Sequence, residues 1–153
     1  MKGIILAGGT GSRLYPITKS VSKQLLCIYD KPMVFYPLTI LLRMGITDVL
    51  LISSKNHLTS YKNLLGDGSN LGFRISYEIQ KKPEGIAQAF IVAEQFIGKE
   101  NVCLILGDNI FYGNGLINIL SISAEEVKKN NNAVLFGYYV NKPSRYGVIE
   151  FDE

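Results

Sequence analysis

Short runs of consecutive apolar residues alternate along this chain with longer stretches in which apolar positions recur every three or four residues. The first pattern marks strands buried on both faces, and the second marks helices with one face against a core. The runs predict strands at Lys2–Ala7, Asp48–Ser53, Arg74–Gln80, Val102–Leu106, Ala133–Val140 and Gly147–Phe151. The longer stretches predict helices at Met33–Met44, His57–Leu65, Ile86–Phe96 and Ile117–Lys129. Asp30 reads as the N-cap of the first helix and Gly45 as its stop, while Pro37 should kink it unless it falls within the first turn. Strand and helix in alternation predict an α/β fold, a doubly wound and mainly parallel sheet, with right-handed crossovers and ligands gathering beyond the carboxyl ends of the strands.

Composition narrows the function classes. The 153 residues carry 16 basic against 13 acidic groups, a net charge of +3, and 47% of them are hydrophobic. That is an ordinary globular domain, not a disordered or fibrous chain. The basic residues are scattered, with adjacent pairs only at Lys81-Lys82 and Lys128-Lys129, so neither nucleic acid nor an anionic membrane is an expected partner. No apolar run reaches membrane-spanning length, and the N-terminal run is too short for a signal peptide. The two cysteines, Cys27 and Cys103, lack metal-ligand spacing and sit among apolar neighbours, where a free thiol acts as a small hydrophobe. A cytoplasmic setting is expected.

The candidate chemistry lies at strand ends. The first strand runs into Leu6-Ala7-Gly8-Gly9-Thr10-Gly11-Ser12-Arg13-Leu14, where glycines let backbone N–H groups approach phosphate oxygens and Arg13 adds a planar fork. It is neither a dinucleotide fingerprint nor a Walker loop, and a tight strand-to-helix turn without ligand would read the same way. Lys23 and Gln24 follow closely enough to return over this loop, Lys23 as a phosphate partner or as solvated surface. Asp108 follows a buried strand, where one carboxylate suits Mg²⁺ completed by phosphates and water, or serves as a turn cap ahead of Asn109. Gln80 ends a strand, and its amide matches the imide edge of thymine or uracil or equally a backbone turn. His57, the only histidine, has no nucleophile near it in sequence and reads as surface.

Taken in order, Leu6 to Leu14, Ser22-Lys23-Gln24-Leu25-Leu26 and Tyr29-Asp30-Lys31-Pro32-Met33 resemble the sugar-1-phosphate nucleotidylyltransferase family. Leu64 to Ser69, Pro83 to Ala89, Leu106 to Asn109 and Arg145-Tyr146-Gly147-Val148 are similar to its thymidylyl-transferring branch. The resemblance implies dTTP and glucose 1-phosphate as substrates, Mg²⁺ as cofactor and a homo-oligomer, tetrameric in the family. It implies catalytic roles for Arg13 and Lys23, and a nucleotide site built from Leu6, Gly8, Gly9, Thr10, Gly11, Ser12, Arg13, Gln24, Gln80 and Gly85. Asp108 would be the metal ligand, and Tyr146 and Gly147 would lie near the sugar. Cys27 departs from the proline expected after the two leucines. Family members are nearly twice as long, and their later half supplies a Glu-Lys-Pro segment and a second metal-binding aspartate, neither of which is among these residues. Residues 1–153 are therefore expected to be the nucleotide-binding portion of one domain, with binding more secure than turnover. The alternatives are a uridylyl- or cytidylyltransferase and a nucleotide-binding fragment without turnover.

Overall fold

The computed structural model describes residues 1–151. Its centre is a four-stranded parallel sheet of β1 (Lys2–Ala7), β4 (Asp48–Ser53), β5 (Arg74–Ile79) and β6 (Val102–Leu106), in the spatial order β5-β4-β1-β6. A two-stranded antiparallel hairpin, β2 (Cys27–Ile28) and β3 (Lys31–Pro32), stands apart from it. In register, Ile5 lies opposite Leu51 on one side and Ile105 on the other. The alternation of side chains along each strand then sorts the core into two layers. Ile5, Ala7, Val49 and Leu51 face α1 (Phe35–Arg43), α2 (Lys55–Leu65) and α5 (Leu116–Asn130). Ile4, Leu6, Leu50 and Ile52 face α3 (Gln88–Val92) and α4 (Glu94–Ile97). Helices on both faces make the sheet doubly wound, as the sequence predicts.

The strand order turns back between β1 and β6. Successive strands build outward from β1 through β4 to β5, and the next crossover returns to the opposite side of β1. The carboxyl ends of β1 and β6 therefore lie side by side at this reversal, and the space beyond them is the crevice in which ligands of such sheets gather. Helix α1 ends as its sequence indicates: Gly45 takes φ 71°, its N–H bonds to the Leu42 carbonyl, and the Ile46 N–H reaches back to Leu41. Those two bonds form a Schellman stop, and Leu41 and Ile46 share the same core.

Several expectations are corrected. Asp30 lies in the hairpin turn, not at a helix N-cap; α1 begins after Val34, and Pro37 sits in its first turn, where a missing N–H breaks no bond. Gln80 falls just beyond β5, and the helix expected over Ile86–Phe96 starts at Gln88 and is interrupted at Ala93. Cys27 is exposed, not packed among apolar groups. The largest correction concerns Ala133–Val140 and Gly147–Phe151, which form no strand; Leu135 is 75% and Tyr138 79% exposed. An apolar run becomes a strand only when a neighbouring ladder takes its backbone groups, and neither segment pairs with β6.

Candidate active site

The glycine loop leaves β1 at the crevice. Gly9 and Gly11 take φ 94° and 59°, values that favour glycine, and the Thr18 hydroxyl donates to the Gly11 carbonyl at 2.8 Å. A Cβ on Gly11 would press against the Thr18 methyl group. Thr10, Ser12 and Arg13 are exposed on this loop, and among the described residues Arg13 has no carboxylate partner. Leu6 contributes from the strand itself: its carbonyl receives the Gly107 N–H at 2.9 Å, which ties the end of β1 to the turn after β6. Gly107 is tight against Ala7 and Gln24, so the two strand ends approach closely.

Asp108 follows Gly107, and Lys23 arrives from the short turn Lys23–Leu25. Lys23 Nζ meets Asp108 Oδ2 at 2.9 Å across the crevice, each side chain about one-third exposed. Among the described residues the carboxylate takes no backbone hydrogen bond; it faces Lys23 and does not cap the turn before Asn109. Sequence separation here is 85 residues, and only the β1–β6 pairing brings the two groups together.

Below the loop lies a buried polar group of side chains. The Gln24 amide donates to the Gly8 carbonyl, and Ser53 Oγ donates to the Ala7 carbonyl at 3.1 Å. Ser22 Oγ donates to Gln24 Oε1 at 2.7 Å and lies 2.8 Å from the Tyr61 hydroxyl. These contacts take up carbonyls where β1 leaves the ladder, and no buried side-chain polar atom among the described residues lacks a partner. Tyr61 is fully buried, and that burial pushes its hydroxyl up to about 12 against the pull of its serine hydrogen bonds. It therefore remains a neutral phenol. Ser53 and Tyr61 support the start of the loop and are positions the sequence reading misses; the available signal was a tyrosine on the apolar stripe of a polar helix, since a buried tyrosine hydroxyl requires a partner.

Gln80 is 6% exposed and hangs from the end of β5, its backbone N–H on the Ser53 carbonyl at 2.9 Å. Its Nε2 donates to Gln88 Oε1 at 2.7 Å, and its Oε1 lies so close to Gly8 that a Cβ there would overlap it. Gly85, exposed at φ 102°, opens the turn before α3. Leu6, the Gly8–Arg13 loop, Lys23, Gln24, Gln80 and Asp108 thus share the carboxyl edge of the sheet. Tyr146 and Gly147 are exposed in an irregular segment, and their backbone and side chains make no hydrogen bond to the loop, Lys23, Gln80 or Asp108.

The donor set fits one kind of metal. Among the described residues no three His, Cys, Asp or Glu side chains cluster. Asp108 has one oxygen on Lys23 and a second without a protein hydrogen bond. A hard cation that brings phosphate and water ligands fits such a single carboxylate.

The nucleotidyl transferase family model matches residues 2–153. The chain is 56% identical to the glucose-1-phosphate thymidylyltransferase of Neisseria gonorrhoeae over 153 residues, covering 100% of this chain and 52% of that protein. It is 51% identical to the same-named protein of Mycobacterium tuberculosis over 151 residues, covering 99% of this chain and 51% of that one. Among solved structures, one from Bacillus anthracis assigned as a glucose-1-phosphate thymidylyltransferase, in complex with sucrose, superposes with TM-score 0.75 at 42% identity, over 82% of this chain and 51% of that one. A UDP-glucose pyrophosphorylase complexed with UDP-glucose superposes with TM-score 0.70 at 27% identity, over 85% of this chain and 54% of that one. The chain spans about half the length of the curated relatives it matches. Because the family model takes in every residue but the first, and the same-named relatives are about half identical along the whole chain, the chain belongs to the nucleotidyl transferase family.

Proposed function

We propose that residues 1–153 are the nucleotide-binding portion of a nucleotidylyltransferase domain, and that the protein transfers a thymidylyl group from dTTP to glucose 1-phosphate, releasing pyrophosphate and dTDP-glucose. The observation that carries this reading is the meeting of the glycine loop, Lys23 and Asp108 at the point where the strand order turns back. Relatives named for this reaction supply the choice of substrates.

The sugar phosphate is largely dianionic at neutral pH, with a second pKa of about 6, so its oxygen attacks the α-phosphorus without a general base. The protein's task is in-line positioning and neutralisation of charge. Backbone N–H groups of Gly8 to Ser12 cradle the phosphates, and Arg13, free of any carboxylate among the described residues, adds a fork for the charged oxygens. Lys23 rests on Asp108 in the free chain. An incoming triphosphate offers Lys23 a more highly charged partner, and the exchange uncovers the Asp108 carboxylate. Nucleotidyl transferases generally work with a divalent metal, and in this reading Asp108 holds Mg²⁺, which would neutralise phosphate charge when bound. Gln80 and Gly85 read the base, Gln24 supports the loop, and Tyr146 and Gly147 face the sugar. A cytoplasmic homo-oligomer completes the proposal.

The uridylyl alternative has a specific support in the UDP-glucose pyrophosphorylase likeness, and thymine and uracil offer Gln80 the same imide edge. Calorimetric titration with dTTP, UTP, dCTP and dATP in Mg²⁺ tests the reading, alongside pyrophosphate release from dTTP and glucose 1-phosphate. Binding of dTTP above dCTP and dATP is expected, with pyrophosphate release by these residues alone negligible. Equal affinity for all four nucleotides refutes base reading at Gln80, and UTP bound well above dTTP moves the assignment to uridylyl transfer.

A further inference from the structure

We infer that Gln88 is a positioning residue that sets which face of the Gln80 amide the nucleotide base meets, and through it the choice between imide and amino pyrimidines. The inference rests on Gln80 reading the base, as proposed above.

An amide side chain is nearly symmetric in shape, so its orientation is decided by partners that are donor-only or acceptor-only. Gln88 has one of each. The backbone N–H of Glu84, which can only donate, reaches Gln88 Oε1 at 3.1 Å. The Glu84 carboxylate accepts from Gln88 Nε2 at 2.8 Å. The two contacts agree on one orientation, and they leave Gln88 Oε1 facing Gln80. The atom of Gln80 that meets it at 2.7 Å must then be the donor, Nε2. Gln80 Oε1 is turned toward Gly8 and the loop, and no described residue donates to it. The orientation is thus relayed from a main-chain N–H through Gln88 to Gln80.

Held this way, Gln80 keeps one N–H on Gln88 and turns its acceptor, Oε1, to the side of Gly8 and the glycine loop, where the base is placed in the proposed function. Thymine and uracil carry a ring N–H at N3 and satisfy it. Cytosine carries a bare N3 lone pair there, and two acceptors face each other. Turning the Gln80 amide over would reverse the preference but would place two oxygens, Gln80 Oε1 and Gln88 Oε1, together at the Gln88 contact. Discrimination therefore depends on a residue that need not touch the base.

Gln88→Met keeps the length of the side chain and removes its polar atoms, freeing Gln80 to turn. The paired swap Glu84→Gln with Gln88→Glu keeps an acceptor toward Gln80 and reverses only the outer hydrogen bond. Affinities of the 153-residue chain for dTTP, UTP and dCTP in Mg²⁺ are measured by calorimetry for the parent, both variants and Gln80→Ala. The expected result is a fall of about tenfold in the dTTP-to-dCTP ratio for Gln88→Met, the size of one misplaced hydrogen bond. The dTTP-to-UTP ratio should stay fixed, because both bases are imides, and the paired swap should restore the parent ratio. Equal weakening of all three nucleotides by Gln88→Met, or a ratio not rescued by the swap, overturns the inference and leaves Gln88 a structural residue. If Gln80→Ala preserves the parent ratio, the base-reading role of Gln80 fails instead. If Gln80→Ala abolishes the ratio while Gln88→Met preserves it, Gln80 reads the base unaided and only the relay is wrong.

Discussion

Gly8→Ala is the substitution most sharply defined by the packing at the site. Gly8 is absent from the positive-φ residues, so alanine meets no backbone penalty there, and the added methyl encounters one neighbour, the amide of Gln80. That amide is 6% exposed and anchored to Gln88 at 2.7 Å, so it cannot swing into solvent without losing a partly buried hydrogen bond. Forcing extra volume into packed surroundings costs about 1–3 kcal/mol. The lost hydrogen bond adds about 1 kcal/mol. Together Gly8→Ala should destabilise the fold by roughly 2–4 kcal/mol, a large share of the 5–15 kcal/mol typical of a domain. In a Gln80→Ala background the obstacle is gone, and the same substitution should stabilise by about 0.4–1 kcal/mol through the stiffer unfolded chain. Urea unfolding of parent, single and double variants, followed by far-ultraviolet circular dichroism because the chain has no tryptophan, gives the coupling directly. Additivity of the two substitutions within about 0.5 kcal/mol would refute the reasoning, since it would mean that Gly8 and Gln80 do not share this space.

Arg13→Gln should leave unfolding unchanged within about 0.5 kcal/mol, because the side chain is exposed, yet weaken dTTP roughly ten- to a hundredfold; unaltered affinity in calorimetry removes Arg13 from the triphosphate site. Asp108→Asn breaks a partly exposed ion pair and should cost only about 0.5 kcal/mol of stability, while nucleotide binding loses its response to Mg²⁺. A parental Mg²⁺ response in that variant would show that Asp108 is not the metal ligand. Burial holds the Tyr61 hydroxyl at about 12, above its ordinary 10.0, so the fold favours the neutral phenol. Its contribution, about 2–3 kcal/mol, is present below pH 10 and is lost as pH rises through the folded value. Urea unfolding between these pH values should decline less steeply in Tyr61→Phe than in the parent; equal slopes would mean that the hydroxyl does not titrate on unfolding.

The sequence alone specified the four central strands, because consecutive apolar residues bounded by glycine and polar residues have few ways to be buried. It also specified the end of α1, since Gly45 supplies a backbone conformation that other residues adopt poorly. The positions of the glycine loop, Asp108 and Gln80 were legible for a related reason: they follow strand ends set by local pattern, and Lys23 was placed by its nearness to the loop in sequence. Partnership was not legible. Lys23 meets Asp108 across 85 residues, and Tyr61 reaches Ser22 across 39, only because parallel pairing brings distant segments to one edge of the sheet. Asp30 and Asp108 carry the same turn-forming chemistry, yet one ends in a hairpin and the other faces a lysine. Ala133–Val140 makes the same point from the opposite side. Its composition favours a strand, but a strand is a paired object, and whether a ladder receives it is decided by the tertiary structure alone. Gln80 is the finest case: the sequence supplied an amide that can sit either way round, and which of its atoms meets Gln88 was decided by the Glu84 backbone that orients Gln88 in turn.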